Sequence, residues 1–226
     1  MRDNKTSKPA QEYDGNFGKT MLYHSFFHEE TLRLIKAVNP RPETWLDAGC
    51  GTGILVSKAL NFFADTHFVM MDPSAAMLDI AKEKFAGREN MKLSYVLAGT
   101  EEADFPTENF DVITAILAHH YFNKSTRQKA TANCLAMLKK GGTYVTFETI
   151  LPSSDQGIKI GLERWKTAII KNGKDAAAAE QHISRFGTEL LPITAMEHIE
   201  LLHKVGFSVV EILWASGVQM GFYAIK

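Results

Sequence analysis

Only two of the 226 residues are cysteine, Cys50 and Cys134, and they have neither the spacing of a redox pair nor the number a metal site needs. A disulfide scaffold is excluded, no metal is expected, and the setting expected is a reducing one, the cytoplasm. An excess of one charge is also missing, since 25 Lys plus Arg stand against 26 Asp plus Glu. No broad field therefore draws in a nucleic-acid backbone, and DNA is not expected as a partner. No uncharged run approaches the roughly 20 residues of a membrane span. Residues 1–14 are polar, with no apolar stretch or cleavage site, so neither export nor a membrane partner is expected. Internal repeats are absent, and low complexity is confined to the alanines at 176–179. What is present is 45% hydrophobic and 23% charged residues, the balance of a folded domain. A core of this size buries roughly 70–75% of the surface the unfolded chain exposes. A single domain over residues 1–226 follows.

Residues 1–18 are polar and contain glycine, and are expected to be mobile unless something docks them; Tyr13, Phe17, Met21 and Tyr23 are the candidates. Apolar residues recur at helical spacing over 21–38, with a break allowed near His24, and Asn39-Pro40 stops the pattern. This makes 1–38 an N-terminal helical segment. A strand at 44–47, a glycine loop and a helix at 54–60 follow. The alternation then repeats: strands at 67–72, 93–98, 110–117 and 143–150, helices at 73–85 and 125–138, with Gly141-Gly142 as the stop of the last helix. Such alternation implies parallel strands with right-handed crossovers, an open doubly wound α/β sheet. After Pro152 the pattern changes. Helices at 158–170 and 176–186 have no strand between them, and are expected to form a helical lid insertion over 152–190. A helix at 194–205, capped by Thr194, and a hairpin of 208–214 with 219–225 complete the chain.

The chemistry concentrates where the first strand meets its helix, at Asp47-Ala48-Gly49-Cys50-Gly51-Thr52-Gly53. Open α/β sheets bind ligands beyond the carboxyl ends of their strands, and glycines let backbone N–H groups approach them. Asp72 ends the second strand, where a carboxylate accepts both hydroxyls of a ribose, so an adenosine-containing ligand is inferred. The dinucleotide fingerprint Gly-x-Gly-x-x-Gly is not met, because Ile54 holds its third glycine position. Asp47 ahead of the loop suits an ammonium and offers a pyrophosphate nothing. That favours a ligand with an amino-acid end over NAD.

The run LDAGCGTG, Asp72 after HFVMM, FDVITAILAHH and LKKGGTYV together resemble the class I S-adenosylmethionine-dependent methyltransferases, over roughly residues 40–150. The resemblance implies a Rossmann-like, seven-stranded sheet whose last strand is antiparallel. It implies S-adenosyl-L-methionine as cofactor and S-adenosyl-L-homocysteine as product. By position, it puts the methionine part of the cofactor against Asp47, Ala48, Gly49, Cys50, Gly51 and Gly53, and the ribose on Asp72. Adenine is put beside Pro73 or Ser74 and Met77, and the sulfonium beside Leu117, Ala118 and His119. Gly99-Thr100-Glu101 departs from the family's frequent Asp, which leaves Thr100 or Glu101 to meet the adenine amine.

The activity implied is methyl transfer to a small-molecule acceptor by in-line displacement. A tRNA- or RNA-related methyltransferase, or an S-adenosylmethionine-modifying enzyme of the same fold, is the alternative. The subgroup resembled most includes the tRNA-uridine carboxymethyl-donor synthase. A non-methylating binding module of the same fold is a second reading, and an NAD-dependent oxidoreductase a third that the glycine spacing disfavours. His119, His120 and Glu148 are the catalytic candidates, with pocket closure, helix capping and a solvated strand end as their alternatives. Tyr13, Phe17, Tyr23, His24 and Tyr121 are candidates for an aromatic wall around the acceptor, and Arg164 with Trp165 for an anionic group on it. A homodimer is left open.

Overall fold

The structure, a computed structural model, describes residues 10–88 and 90–226, except for the side chains of Glu12, Tyr13, Asn16 and Phe17. Strands β1 (Thr44–Ala48), β2 (His67–Asp72), β3 (Leu93–Leu97), β4 (Phe110–Ile116), β5 (Leu138–Thr149), β6 (Val209–Ser216) and β7 (Gln219–Ile225) form one sheet in the order β3-β2-β1-β4-β5-β7-β6. The first five pair in parallel, and β7 runs antiparallel to β5 and β6, as the sequence implied.

The strands are short apolar runs because both faces of the sheet are covered. Alternate residues serve alternate faces. Trp45, Phe68, Met70, Val112, Val145 and Phe147 pack under α2 (His24–Val38), α3 (Ile54–Ala59), α4 (Ala75–Lys84), α6 (Asp155–Lys171) and α7 (Ala176–Ile183). Leu46, Val69, Met71, Ile113, Tyr144 and Phe222 pack under α5 (Lys124–Met137) and α8 (Ala195–Val205). From β1 the chain builds outward through β2 to β3, then crosses back to β4 beside β1. This reversal of strand order opens a crevice at the carboxyl ends of β1 and β4. The glycine loop leaves β1 at that point.

Residues 10–20 are docked and helical, as Ala10–Glu12 and α1 (Tyr13–Thr20), and the helix break falls at 21–23, just before His24 as expected. Met21 is buried in the core and Tyr23 packs on Trp214, and a polar clasp adds to them, with Asp14 accepting from Thr52 Oγ1 at 2.5 Å and pairing with Lys84 Nζ at 2.8 Å. Tyr13 and Phe17, proposed as docking and acceptor residues, have side chains outside the described residues. One expectation is corrected: Gly141 and Gly142 do not stop a helix. α5 ends at Met137 and passes directly into β5, whose pairing with β4 jumps from Phe110–Leu138 to Val112–Thr143. Both glycines sit in that bulge. Gly141 has φ of +73°, and a Cβ on Gly142 would lie 2.8 Å from the carbonyl of Lys139. Lys139 Nζ, in the same bulge, pairs with Asp111 at 3.0 Å.

The third glycine of the loop shows why the entry to α3 must be glycine. Gly53 has φ of +75°, and a Cβ there would stand 2.9 Å from the Phe85 ring and 3.2 Å from Met70 Sδ. Gly53→Ala is expected to cost about 1–3 kcal/mol of stability through backbone strain and overpacking. The check is a lower urea midpoint at unchanged m. An unchanged midpoint would mean that the loop relaxes around the added methyl.

Candidate cofactor and acceptor site

Asp47 is buried at the end of β1, and its Oδ1 accepts from Thr114 Oγ1 at 2.7 Å, across the register Asp47–Thr114. Trp45 Nε1 donates to the same hydroxyl at 3.0 Å, which fixes its orientation. Burial pushes the Asp47 carboxyl up to about 7, helped by the charge of Asp72 and opposed by the Thr114 hydrogen bond. The loop is tied to the end of β2. The N–H groups of Gly49 and Cys50 donate to the carbonyl of Met71 at 2.7 and 3.0 Å, and Gly51 N–H donates to Asp72 Oδ2 at 2.8 Å. Asp72 Oδ1 accepts from Ser74 N–H at 2.9 Å, so one carboxylate joins the loop to the start of α4. Ser74 then caps α4 by accepting from Met77 N–H.

A cleft opens here, lined by His24, His28, Asp47, Gly49, Cys50, Gly51, Thr52, Ile54, Leu55 and Ile116. It gathers four of the residues expected at the methionine end of a cofactor and one, His24, expected at the acceptor. Ala48 and Gly53 lie behind the loop, in the two cores. Cys50 is buried, and burial holds its thiol well above the usual range. His28 was missed; its place one turn beyond His24 was the available signal. Burial and the charge of Lys58 push His24 down to about 4, with Asp14 opposing, and hold His28 well below the ordinary value. Both rings are neutral.

On the adenine side Met77 is buried, Pro73 is exposed, and Asp72 stands beside the loop. The carbonyl of Thr100 is taken by Asn133 Nδ2 at 3.0 Å, whereas Glu101 Oε2 is buried without a partner. A Cβ on Gly99 would meet that carboxylate at 2.5 Å. Across the crevice, Leu117 has φ of +55°, and its N–H donates to Phe147. This turn brings Ala118 so close to the loop that a Cβ on Gly49 would lie 2.7 Å from its methyl.

None of the three catalytic candidates lines the cleft. His119 turns to the α5 side of the sheet, with Nδ1 3.2 Å from the Tyr144 hydroxyl and its ring against Phe122; burial pushes it down to about 3. Glu148 Oε1 accepts from Thr146 Oγ1 at 2.7 Å and from His119 N–H at 3.3 Å. Burial pushes the Glu148 carboxyl up to about 7, against the Thr146 bond and the charge of Arg127. Its Oε2 lies 3.6 Å from His120 Nδ1, which itself accepts from Thr149 N–H. His120 therefore carries its proton on Nε2, and burial with the charges of Arg185 and Arg127 keeps it neutral. Arg127, missed in the sequence, donates to the carbonyls of His119 and Leu191 and holds this turn in place.

Tyr23, Arg164 and Trp165 meet in a second cleft, with Leu22, Gly161, Ala168 and residues 216–219. Trp165 Nε1 donates to the carbonyl of Thr20 at 2.8 Å, and Tyr23 sets its ring edge-on to Trp214. Consecutive residues at the start of α2 thus serve the two clefts, Tyr23 one and His24 the other. Tyr121 lies in neither cleft, packed on His120 with the Arg185 guanidinium 6.0 Å from its ring. Among the described residues no group of His, Cys, Asp or Glu side chains is placed to hold a metal ion, and no helix is long and apolar enough to cross a membrane.

Folding raises the Asp47 and Glu148 carboxyls from 3.8 and 4.5 to about 7. Within that window the folded chain holds protons that the unfolded chain has released. Each group therefore makes stability fall as pH rises from its unfolded value to about 7, and level off above it. Asp47→Asn and Glu148→Gln are each expected to flatten the decline in urea titrations across the window. An unchanged slope in both variants would contradict the assignment.

Comparison with known proteins finds methyltransferases. A family model described as a methyltransferase domain matches residues 46–142. The chain is 29% identical over 169 residues to the ubiquinone/menaquinone biosynthesis C-methyltransferase UbiE of Vibrio campbellii, covering 70% of this chain and 64% of that protein. It is 26% identical over 178 residues to carboxy-S-adenosyl-L-methionine synthase 1 of Yersinia pseudotuberculosis, covering 76% and 72%. A solved SAM-dependent methyltransferase of Leishmania major superimposes with a TM-score of 0.67 at 18% identity, covering 97% of this chain and 79% of that one, a likeness of fold alone. The chain spans less than two thirds of the length of the UbiE proteins it matches. With the glycine loop, Asp72 and this strand order on one chain, these matches make it similar to the class I S-adenosylmethionine-dependent methyltransferases.

Proposed function

We propose that this chain transfers a methyl group from S-adenosylmethionine to a small-molecule acceptor. The observation that carries the reading is the cradle between β1 and β4, where Asp47 and the glycine loop face the turn at Leu117 and Ala118. Two features support the fit of the cofactor: a cradle that a Cβ on Gly49 would fill, and the unpartnered Glu101 Oε2, an acceptor for the adenine amine. In this reading Asp47 meets the ammonium, Asp72 the ribose, and Pro73 and Met77 the adenine, with Gly99 and Thr100 shaping the pocket around Glu101. Bound there, the cofactor supplies an electrophilic methyl group on a sulfonium.

The chain's own part is positioning and exclusion of water, which in-line displacement requires most. Glu148 and Arg127 act by holding the turn at 117–121 through the His119 backbone, and His119 itself serves the core. The second cleft, with its Tyr23 and Trp165 walls and the Arg164 cation, suits an aromatic or apolar acceptor bearing an anionic group. In this reading α2 walls the first cleft through His24 and His28, and α6 walls the second through Gly161, Arg164, Trp165 and Ala168.

The test is incubation with methyl-labelled S-adenosylmethionine and separate small-molecule and tRNA fractions. The expected result is label in a small molecule with matching release of S-adenosylhomocysteine. Label in tRNA alone would overturn the acceptor class. The Yersinia relative favours one further outcome to look for, a modified S-adenosylmethionine with no methylated acceptor, which would overturn the transfer itself. Asp72→Asn is expected to weaken S-adenosylhomocysteine binding about tenfold to a hundredfold, the loss of hydrogen bonds to a charged group. Unchanged affinity in calorimetry would remove Asp72 from the site.

A further inference from the structure

The second cleft is walled by Tyr23 and Trp165, carries Arg164 as its cation, and contains one buried amide, Gln219. Gln219 opens β7 and is 3% exposed; because it lines the cleft, the surface it keeps is turned there. Its Nε2 donates to Met21 Sδ at 3.4 Å, and a thioether is a weak acceptor. Among the described residues the side chain makes no other hydrogen bond, so Oε1 accepts nothing from the protein. Its register partner across the sheet, Thr149, does not satisfy it, since the Thr149 hydroxyl is itself buried without a partner. A buried amide left in this way is a cost that a bound ligand can relieve.

The same cleft supplies a second, separate determinant. Arg164 is exposed on α6 and pairs with no carboxylate among the described residues. Trp165 is held by its bond to the Thr20 carbonyl, so this wall is fixed. The cleft encloses about 440 Å³, its open mouth included, which is room for a small ring and its substituents. We infer that Gln219 is a specificity-determining residue of the acceptor site: its Oε1 accepts from a hydroxyl on an aromatic acid whose carboxylate meets Arg164. The acceptor class is thereby narrowed to hydroxylated aryl carboxylates. An acceptor with an apolar edge in that place leaves the amide unpaired and is disfavoured on that account. This rests on the proposed use of the second cleft for the acceptor.

The experiment titrates the chain, saturated with S-adenosylhomocysteine, with 3-hydroxybenzoate, 4-hydroxybenzoate, benzoate and phenol. At least one hydroxybenzoate is expected to bind about threefold to tenfold more tightly than benzoate, the worth of one hydrogen bond. Gln219→Leu, apolar and similar in size, is expected to abolish that preference while S-adenosylhomocysteine affinity, the check on the fold, stays within about twofold. Gln219→Glu keeps an acceptor oxygen, and is expected to keep the preference while binding all three carboxylates more weakly. Arg164→Ala is expected to weaken the three carboxylates alike and to leave phenol within about twofold. Benzoate bound as tightly as both hydroxybenzoates by the wild type would overturn the inference, as would a preference that survives in Gln219→Leu or is lost in Gln219→Glu. So would binding of none of the four probes beside S-adenosylhomocysteine. Failure of the wild-type chain to bind S-adenosylhomocysteine would instead remove the methyltransferase reading on which it rests.

Discussion

Three backbone N–H groups of the glycine loop end on two consecutive residues of β2, the carbonyl of Met71 and the carboxylate of Asp72. Much of the site depends on that attachment. It holds the loop across the carboxyl ends of β1 and β2, so that Asp47 stays beneath it and Gly49 faces Ala118. The same carboxylate reaches Ser74 at the head of α4, which carries Met77. One side chain therefore sets the relative position of the loop and of the helix proposed to meet adenine. Glycine is needed in the loop because this path demands positive φ at Gly49, Gly51 and Gly53 while leaving no room for a Cβ at the first and third.

The carboxyl ends of the central strands and the segments beside them also gather several buried ionisable groups. Asp47 and Glu148 are both desolvated at the ends of central strands, and His24, His28, His119 and His120 are all held neutral. Such groups lower stability unless hydrogen bonds or ligands compensate. Glu148 Oε1 is compensated within the fold by Thr146 and the His119 backbone, with Arg127 nearby, while its Oε2 has no hydrogen-bond partner. Asp47 has Thr114 but also faces Asp72, so an ammonium arriving in the cleft would relieve a repulsion already present.

Much of this was legible in the sequence. Alternating apolar runs gave the sheet, and the run from Asp47 to Gly53 gave the loop, because strand-loop-helix geometry is local and each glycine answers a local demand; Asp72 was read only for a ribose, and its hold on Gly51 and Ser74 came from the structure. What was not legible depends on which face a residue takes after a turn. His119 and His120 follow β4 directly, yet the strained φ of Leu117 redirects the chain and sends His119 to the α5 side. Arg127 gains its role from Leu191, which is remote in sequence, and Asp14 from Thr52 and Lys84. Gly141-Gly142 resembled a helix stop because a bulge and a C-cap ask for the same residue. His28 carried only the spacing of an ordinary helix face.

The central claim is that the loop at the β1–β4 reversal is shaped for an adenosine bearing an amino-acid end and not for a dinucleotide. Calorimetric titration of the wild-type chain with S-adenosylhomocysteine, and separately with NADH, tests it most directly. The account predicts saturable one-to-one binding of the sulfur ligand and no heat from NADH. Binding of NADH with equal or higher affinity, or no binding of S-adenosylhomocysteine, would contradict it.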